Sequence, residues 1–279
     1  MHFTCGNFQL DLSTPRVMGI VNVTPDSFSD GGKFVATNLA IEHALKLAEE
    51  GADILDIGGE STRPNATPVS LQEELDRVIP VIEALVRQFK QNKQVNIPIS
   101  IDTYKPQVMQ AAIAAGASMI NDVRALQEEG ALEIAAKSNT GVCLMHMQGT
   151  PQTMQQNPQY HDVVNDVKAF LSARLQSSIH AGCRASNILL DPGFGFGKTR
   201  EHNIKLLQNL ESFTDLGQPM LVGLSRKSVL GQVTGNDVDA RLYASIAASV
   251  LSAMKGAKIL RVHDVRATVE ALKVVSAIL

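Results

Sequence analysis

The chain has 279 residues, of which 44% are hydrophobic and 19% charged. This composition can build a large core and excludes a disordered chain, a collagen and a coiled coil. The net charge of −3 excludes a surface built to neutralise a nucleic-acid backbone, so any bound anion must be held locally. The length allows two ordinary domains or one large α/β barrel, and we expect a single domain over residues 1–279.

Three cysteines lie far apart in the sequence, at Cys5, Cys143 and Cys183. They form no CxxC pair and predict no disulfide framework, which is typical of a reducing, cytoplasmic setting. The N-terminal segment lacks the apolar core of a signal peptide, and no stretch reaches the roughly 18 apolar residues of a membrane helix. We therefore expect a soluble, unprocessed protein that contacts neither membrane nor nucleic acid.

One pattern recurs along the chain: an alanine-rich helical stretch, a glycine, a few small residues, a short apolar run and a polar residue. Its clearest copies are LAEEGADILDIG, AAIAAGASMIND, IHAGCRASNILLDPG and MKGAKILRVHD. The glycine suits the left-handed position after a helix, and the apolar run has the length of a strand buried on both faces. Each copy therefore predicts a junction from helix through loop to strand.

Less regular copies complete a series of strands, predicted at 17–23, 53–58, 97–101, 118–121, 141–146, 187–191, 219–224 and 258–262. Helices are predicted near 37–50, 70–90, 105–115, 127–137, 162–181, 201–211, 237–255 and 264–278. The repeat of about 34 residues is that of a βα unit, which predicts an α/β protein with the (β/α)8 TIM-barrel fold. An open doubly wound sheet is the alternative, but Lys198 stands where its GxGxxG fingerprint needs the last glycine.

Polar residues follow nearly every predicted strand. They are Asn22, Asp56, Asp102, Asn121, Asp122, His146, Asp191, the segment 225–228, Arg261 and His263. One such residue is usually a helix cap or a turn former. Because the carboxyl ends of barrel strands face one common mouth, the whole series predicts an active site there.

Basic residues form one group at this mouth, namely Arg63, Lys227, Arg261 and His263. Cations that converge in a nearly neutral chain predict a phosphate or diphosphate substrate. For each residue the alternative is a surface cation paired with an acid.

Asp102, Asn121 and Asp191 form a second group, whose oxygens and amide can make paired hydrogen bonds to a guanine-like ring edge. A metal cluster is the alternative, but the sequence has no HExxH motif and no cysteine pairs at metal-site spacing. A Mg²⁺ ion carried on a diphosphate and touched by Asn22 remains compatible with these residues.

Two motifs are interpreted as structural. GFGFGKT at 193–199 resembles the end of a Walker loop, but Pro192 occupies the place of the first glycine, so no ATP site is predicted. Met145, His146 and Met147 lie at the end of a predicted strand, where metal or sulfur chemistry is the alternative, and are interpreted as pocket wall.

Stretches in the same order along the whole chain resemble the bacterial dihydropteroate synthase family. They are GIVNVTPDSFSDGG (19–32), DIGGESTRP (56–64), ISIDT (99–103), INDV (120–123), LMHMQGTP (144–151), DPGFGFGKT (191–199), LVGLSRKS (221–228) and RVHDV (261–265). The family's second loop usually reads STRPGA, whereas Asn65 replaces the glycine here. Asparagine tolerates a left-handed φ, so the change bears on loop flexibility.

The resemblance implies a transferase of folate biosynthesis that condenses 7,8-dihydropterin-6-ylmethyl diphosphate with p-aminobenzoate. It implies a pterin site made of Asp102, Asn121, Met145, Asp191 and Lys227. It implies contacts to the Mg²⁺-bound diphosphate from Asn22, Arg63, Arg261 and His263, with Asn22 nearest the metal. The catalytic residues would be Asp102, Lys227, Arg261 and His263.

The resemblance also implies a p-aminobenzoate pocket made of Phe28, Thr62, Pro64, Phe196, Lys227 and Ser228. Sulfonamides, which carry the same aniline group, would compete for this pocket. The segments 22–36 and 62–70 have little apolar periodicity and are predicted to act as lids that ligands order.

Two alternatives share a pterin pocket with this family: a pterin-binding methyltransferase and a catalytically inactive pterin-binding barrel. Neither needs the cations for diphosphate. The family also implies a homodimer, for which the predicted helix 237–255 offers small residues, namely Ala244, Ala247, Ala248 and Ser252. Ordinary packing of that helix onto the barrel is the alternative.

Overall fold

The chain begins with an antiparallel hairpin and continues into a closed parallel barrel. The computed structural model describes residues 1–23, 33–62, 66–92 and 96–278. Within these residues, β1 (His2–Cys5) and β2 (Phe8–Asp11) form the hairpin. The eight barrel strands of the described part are β3 (Arg16–Asn22), β4 (Ile54–Gly58), β5 (Ile99–Asp102), β6 (Met119–Asp122), β7 (Gly141–Met145), β8 (Ile188–Asp191), β9 (Met220–Val222) and β10 (Ala257–Val262). They pair in chain order and β10 pairs with β3, which confirms the predicted (β/α)8 TIM barrel.

Helices follow each barrel strand and cover the outside of the barrel. They are α1 (Lys33–Glu49), α2 (Leu71–Gln91), α3 (Pro106–Ala115), α4 (Ala131–Lys137), α5 (Val163–His180), α6 (Arg200–Gln208), α7 (Ser228–Thr234), α8 (Leu242–Met254) and α9 (Val265–Ile278). Local caps set several starts: the Ser70 hydroxyl accepts from Glu73 N at 3.2 Å before α2, and Asp162 accepts from Val164 N at 3.0 Å before α5. Among the described residues, none of these helices combines the length and apolarity needed to cross a bilayer.

Some predicted elements were wrong in their bounds. The helix predicted at 127–137 begins at Ala131, because the residues before it form a turn in which Ala125 and Leu126 have φ of 51° and 57°. The helix predicted at 237–255 is a short 3-10 turn at Val238–Ala240 followed by α8. Helix α7 and the hairpin were not predicted, although the Gly-Asn pair between HFTC and FQLD is a hairpin signal.

Alternation along each strand divides the core into two layers. One set of apolar side chains faces the surrounding helices, as Val17 and Leu55 do, and forms the larger cluster. The other set fills the barrel at the amino ends of the strands, and its members are Met18, Ile54, Met119, Cys143, Leu189, Leu221 and Ile259.

The N-terminal hairpin closes this amino end of the barrel. Phe3, Cys5 and Leu12 are fully buried and pack against the inner apolar set. A Cβ at Gly141 would lie 2.4 Å from Phe3 Cζ, so only glycine lets the Phe3 ring approach the start of β7. The hairpin turn is fixed by Gly6 N, which donates to Asn139 O at 2.8 Å. Because the amino end is sealed, the polar end of the interior is the one left for a ligand.

Helix α8 carries an apolar stripe on its outer side. Tyr243 is 83% and Met254 60% exposed, and Leu251 between them is 48% exposed. Of the small residues predicted to face a partner, Ala248 and Ser252 are buried. That part of the interface prediction was wrong, since these residues sit on the side of α8 that packs onto the barrel.

Candidate active site

The carboxyl end of the barrel interior is polar. The side chains that alternation directs inward here are Asp56, Asp102, Asn121, Met145, Asp191 and Arg261. Five of them each follow, two positions later on the same strand, an apolar residue of the inner layer. These five are Asp56, Asn121, Met145, Asp191 and Arg261. Carboxylates, an amide and a guanidinium therefore share one enclosed space above an apolar floor.

Arg261 on β10 is the centre of this layer. Its Nε donates to Asp56 Oδ2 at 2.6 Å, and its Nη2 donates to Asp102 Oδ2 at 2.7 Å. Asn121 Nδ2 donates to the same Asp56 oxygen at 3.0 Å. The two carboxylates thus bind two different nitrogens of the guanidinium and fix its orientation. Asp56 also fixes the orientation of the Asn121 amide.

Burial and charge shift the titration of these groups. Burial raises the pKa of Asp102 to about 7, although Arg261 acts in the opposite direction, and Asp56 adds to the rise. Burial acts to lower the pKa of Arg261, but the carboxylates of Asp56 and Asp102 outweigh it and hold that pKa above its usual value. Asp102 therefore changes charge near neutral pH while Arg261 stays cationic.

Lys227 reaches the mouth from a strained turn after β9. The preceding Arg226 has φ of 58° and donates to both oxygens of Asp264, from Nε at 3.0 Å and Nη2 at 2.6 Å. The Lys227 amine donates to Phe194 O and lies 4.4 Å from the centre of the Phe196 ring. Burial lowers the pKa of Lys227 to about 8, with Asp191 opposing and Arg261 adding to the shift.

Asp191 ends β8 with its carboxylate inside the barrel. Its Oδ1 accepts from Gly193 N at 2.7 Å, which fixes the carboxylate at the start of the following loop. Burial raises the pKa of Asp191, while Lys227 acts to lower it. Gly193 has φ of 69°, and a Cβ there would lie 1.9 Å from His146 O, so the loop can cross the end of β7 only as glycine.

The loop at 193–199 is held from inside the protein. Lys198 is 2% exposed and donates to Gly193 O at 2.8 Å and Phe196 O at 3.0 Å, and its amine lies 2.9 Å from His146 Nδ1. The lysine of GFGFGKT therefore points into the fold, where its amine is bonded to the backbone of its own loop and to His146.

Several other predicted residues lie around the rim. His263 Nδ1 lies 3.1 Å from the hydroxyl of the buried Ser225. Asn22 ends β3 and Thr62 follows β4, and both are half-buried. Ser228 is exposed as the first residue of α7, immediately after Lys227.

Asp122 was predicted at the rim but faces away from it. Its two oxygens accept from the backbone N–H of Arg124 and of Leu126, each at 2.8 Å, so it caps the turn before α4. Asn121 and Asp122 are adjacent on β6, and alternation sends the first inward and the second outward.

Comparison with known proteins assigns the family. Residues 18–263 match the family described as pterin binding enzyme. The Haemophilus influenzae dihydropteroate synthase is 53% identical over 98% of this chain and 98% of its own length. The chain belongs to the dihydropteroate synthase family. The predicted family and the predicted transferase activity, which makes dihydropteroate, are thereby confirmed.

Solved structures of the dihydropteroate synthase family share the whole fold. The Xanthomonas albilineans enzyme with 4-aminobenzoic acid superposes with a TM-score of 0.92 and 52% identity, over 99% of this chain and 97% of that one. The Yersinia pestis enzyme in a sulfonamide drug complex superposes with a TM-score of 0.93 and 50% identity, over 100% and 99% of the two chains. These are the ligand classes that the sequence analysis expected for the family.

Four residues predicted for this dihydropteroate synthase site, or near it, lie outside the described residues: Phe28, Arg63, Pro64 and Asn65. Of the predicted lids, residues 24–32 of the segment 22–36 and residues 63–65 of the segment 62–70 lie in the same gaps. Among the residues that the structure does describe, no cluster of three or more histidine, cysteine, aspartate or glutamate side chains could hold a metal. A protein-ligated metal centre therefore finds no support in this part of the dihydropteroate synthase fold.

Sequence reasoning missed the residues that organise the synthase site. Asp56 was placed at the rim but given no role, and Lys198 was considered only as part of a rejected motif. Asn203 on α6 was not considered, although its Oδ1 accepts from Gly195 N at 2.7 Å. A lysine directly after three alternating glycines that follow a buried strand was the available signal for Lys198, since a lysine there must find buried acceptors.

Proposed function

We propose that the residues of this mouth carry out the family's reaction, the condensation of 7,8-dihydropterin-6-ylmethyl diphosphate with p-aminobenzoate. The supporting observation is that Lys227 and Arg261 share one enclosed layer with Asp102, Asn121 and Asp191. Such a layer offers hydrogen-bonding groups for a pterin edge beside cations for a departing diphosphate. The products are 7,8-dihydropteroate and diphosphate.

The pterin is assigned to the enclosed polar layer. Asp191 and Asn121 present an acceptor and an amide to the amino and ring N–H groups of the heterocycle, and Met145 forms an apolar wall. Lys227 lies at the side of this layer that opens toward Phe196. A flat ring thus finds polar groups at its edge and a soft side chain against its face.

The diphosphate is assigned to the rim, where Arg261, His263 and Asn22 end their strands, with Arg63 added from the second loop. The ion pairs of Arg261 use Nε and Nη2. Neither of these ion pairs with described residues uses Nη1, so we assign Nη1 to a phosphate oxygen.

Magnesium is assigned to the substrate rather than to a protein cage. Mg²⁺ keeps water and phosphate oxygens as ligands, so one neutral amide oxygen such as that of Asn22 suits it without a carboxylate cluster. When bound, the ion supplies positive charge to the leaving diphosphate.

The chemistry exchanges a C–O bond for a C–N bond. The bond between the pterin methylene and the diphosphate breaks, and its electron pair leaves with the diphosphate. The lone pair of the neutral aromatic amine then forms the new C–N bond, and the amine proton passes to diphosphate or water. The pterin ring spreads the charge of the intermediate cation, which an ionised Asp102 stabilises, so no strong protein base is needed.

The p-aminobenzoate is assigned to the outer side of Lys227. Phe196, Thr62 and Ser228 are the described residues of this pocket, and Phe28 and Pro64 complete the proposal. The Phe196 ring already lies against the Lys227 amine and can extend the same contact to an aromatic ligand. Sulfonamides would occupy the same place.

A homodimer through the outer face of α8 is the proposed assembly. Tyr243, Ala247, Leu251 and Met254 recur at helical spacing and are exposed, which is the apolar stripe that a second copy would cover. Light scattering should give twice the 30.0 kDa of one chain, and Leu251→Glu should halve that mass. A wild-type mass of one chain at micromolar concentration would contradict the dimer.

The cytoplasm is the proposed location. The thiols of Cys5, Cys143 and Cys183 are buried and free, which suits a reducing compartment. Fractionation that placed the protein in an oxidising compartment would contradict this assignment.

A turnover assay tests the function against its alternatives. Incubation with the pterin diphosphate and Mg²⁺ should release diphosphate and form dihydropteroate only when p-aminobenzoate is present. A methyltransferase would form no dihydropteroate, and an inactive barrel would bind the pterin without turnover. Either result would reject the proposal.

A further inference from the structure

Lys198 is a buried amine that the proposed reaction does not use. Its hydrogen-bond partners are Gly193 O at 2.8 Å, His146 Nδ1 at 2.9 Å, Phe196 O at 3.0 Å and, at the longer distance of 3.4 Å, His146 O. The three shorter contacts suit the N–H bonds of a lysine side chain, and burial holds the pKa of Lys198 well below its ordinary value, with Asp191 opposing that shift. The amine thus joins both ends of the Gly193–Phe196 turn to the end of β7.

The imidazole of His146 is placed to accept rather than donate. Burial lowers the pKa of His146 to about 3, and Lys198 adds to the shift. The ring is therefore neutral at physiological pH, and in the tautomer that carries its proton on Nε2 the Nδ1 lone pair accepts from Lys198. Phe170 packs edge-on against the ring at 4.9 Å between centroids, which keeps it in this orientation.

Other side chains hold the same loop from its outer side. Asn203 accepts from Gly195 N at 2.7 Å and donates to Thr199 O at 2.7 Å, while the Tyr160 hydroxyl donates to Gly197 O at 2.7 Å. The loop backbone is therefore bonded to the protein on both sides, and Lys198 supplies the inner side.

The loop in turn positions groups of the proposed p-aminobenzoate pocket. Phe194 O accepts from the Lys227 amine, and the Phe196 ring lies 4.4 Å from that amine. Phe194 and Phe196 both lie within the turn that Lys198 closes. A shift of this turn would move the ring and the carbonyl that together define the place of Lys227.

We propose that Lys198, with His146 as its acceptor, is a positioning residue that holds the Gly193–Phe196 turn and thereby sets the affinity for p-aminobenzoate and sulfonamides. Lys198 contacts no substrate in this scheme and acts through Phe196 and Lys227. The assignment of the ligand rests on the proposed function. The pterin lies deeper, among Asp191 and Asn121, and the turn reaches that site through the bond from Gly193 N to Asp191, so we expect pterin binding to depend less on the turn than p-aminobenzoate binding does.

Steady-state kinetics of Lys198→Met test the proposal. The KM for p-aminobenzoate and the sulfonamide inhibition constant should rise at least about tenfold, while the KM for the pterin diphosphate changes by less than about threefold. Lys205→Met is the matched control, because Lys205 lies on α6 in an exposed ion pair with Asp162. Unchanged KM values for both substrates, with only a lower melting temperature, would overturn the proposal.

A second pair of variants tests the acceptor even if Lys198→Met does not fold. His146→Asn keeps an oxygen near the Nδ1 position, whereas His146→Leu removes the acceptor. In calorimetry with Mg²⁺-diphosphate present, we expect His146→Asn to bind the sulfonamide nearly as the wild type does, and His146→Leu to bind at least about tenfold more weakly. Equal affinities of the two variants would overturn the proposal. Failure of the wild type to form dihydropteroate would instead reject the proposed function, so the two failures are distinct.

Discussion

Arg261 and Asp56 are 205 residues apart in sequence, yet Arg261 Nε donates to Asp56 Oδ2 at 2.6 Å. Their strands, β10 and β4, flank β3 on either side. The contact therefore exists only because the last strand of the barrel closes onto the first. The position of the Arg261 charge in the active site therefore depends on barrel closure.

Asp56→Asn tests this relationship. Asp56 is fully buried and its Oδ1 has no partner among the described residues, so an amide nitrogen there would be unsatisfied while Arg261 loses one counter-charge. We expect the free energy of unfolding to fall by about 3 kcal/mol, as for broken buried ion pairs. Equilibrium unfolding in urea measures this free energy. Glu270→Gln, in an exposed pair with Arg266, is the control and should cost less than about 0.5 kcal/mol.

The pH dependence of kcat/KM for the pterin diphosphate should be bell-shaped. Asp102 must lose its proton to stabilise the cation, so the rate rises with pH through about 7. Lys227 must keep its proton, so the rate falls through about 8. Asp102→Asn should remove the acidic limb, and Lys227→Arg should remove the alkaline limb because arginine stays charged. An unchanged acidic limb in Asp102→Asn would exclude Asp102 as the titrating group.

Asp191→Asn should weaken pterin binding. The substitution keeps the size of the side chain but places a donor among ring N–H groups and the backbone N–H of Gly193. We expect a loss of about 2–4 kcal/mol in the binding free energy, measured by calorimetry. Asp215→Asn, at an exposed position paired with Lys168, is the matched control. A change of less than about threefold in pterin affinity would contradict the assignment.

Binding of the two substrates should be ordered. Diphosphate and Mg²⁺ are expected to gather Asn22 and Arg63, and with them the segments that carry Phe28 and Pro64. Equilibrium dialysis should therefore show p-aminobenzoate or a sulfonamide binding at least about tenfold more tightly when Mg²⁺-diphosphate is present. Equal affinities with and without it would refute the order while leaving the pterin assignment intact.

The barrel could be predicted from sequence because its signal is local and repeated. Each glycine and short apolar run describes its own helix-to-strand junction, and a repeat of about 34 residues fits few other folds. The hairpin carried a weaker local signal. Its structural role is to close the amino end of the barrel, where Phe3 packs against Gly141. That contact joins residues remote in sequence and has no pattern of its own.

In the active site too, the sequence predicts local features, whereas contacts between remote residues depend on the tertiary structure. Sequence determined which residue types end the strands, because those positions follow directly from strand length. It assigned Asn121, but not Asp122, to the ring-edge group, yet placed Asp122 at the mouth as well, since two neighbours on one strand face opposite sides and the choice depends on which side is the interior. It also missed the roles of Asp56 and Lys198. The partners of Asp56 lie on other strands, and Lys198 needs His146, which follows β7, beside the carbonyls of its own loop. Only the closed barrel brings these groups together, and without them a buried charge would cost free energy.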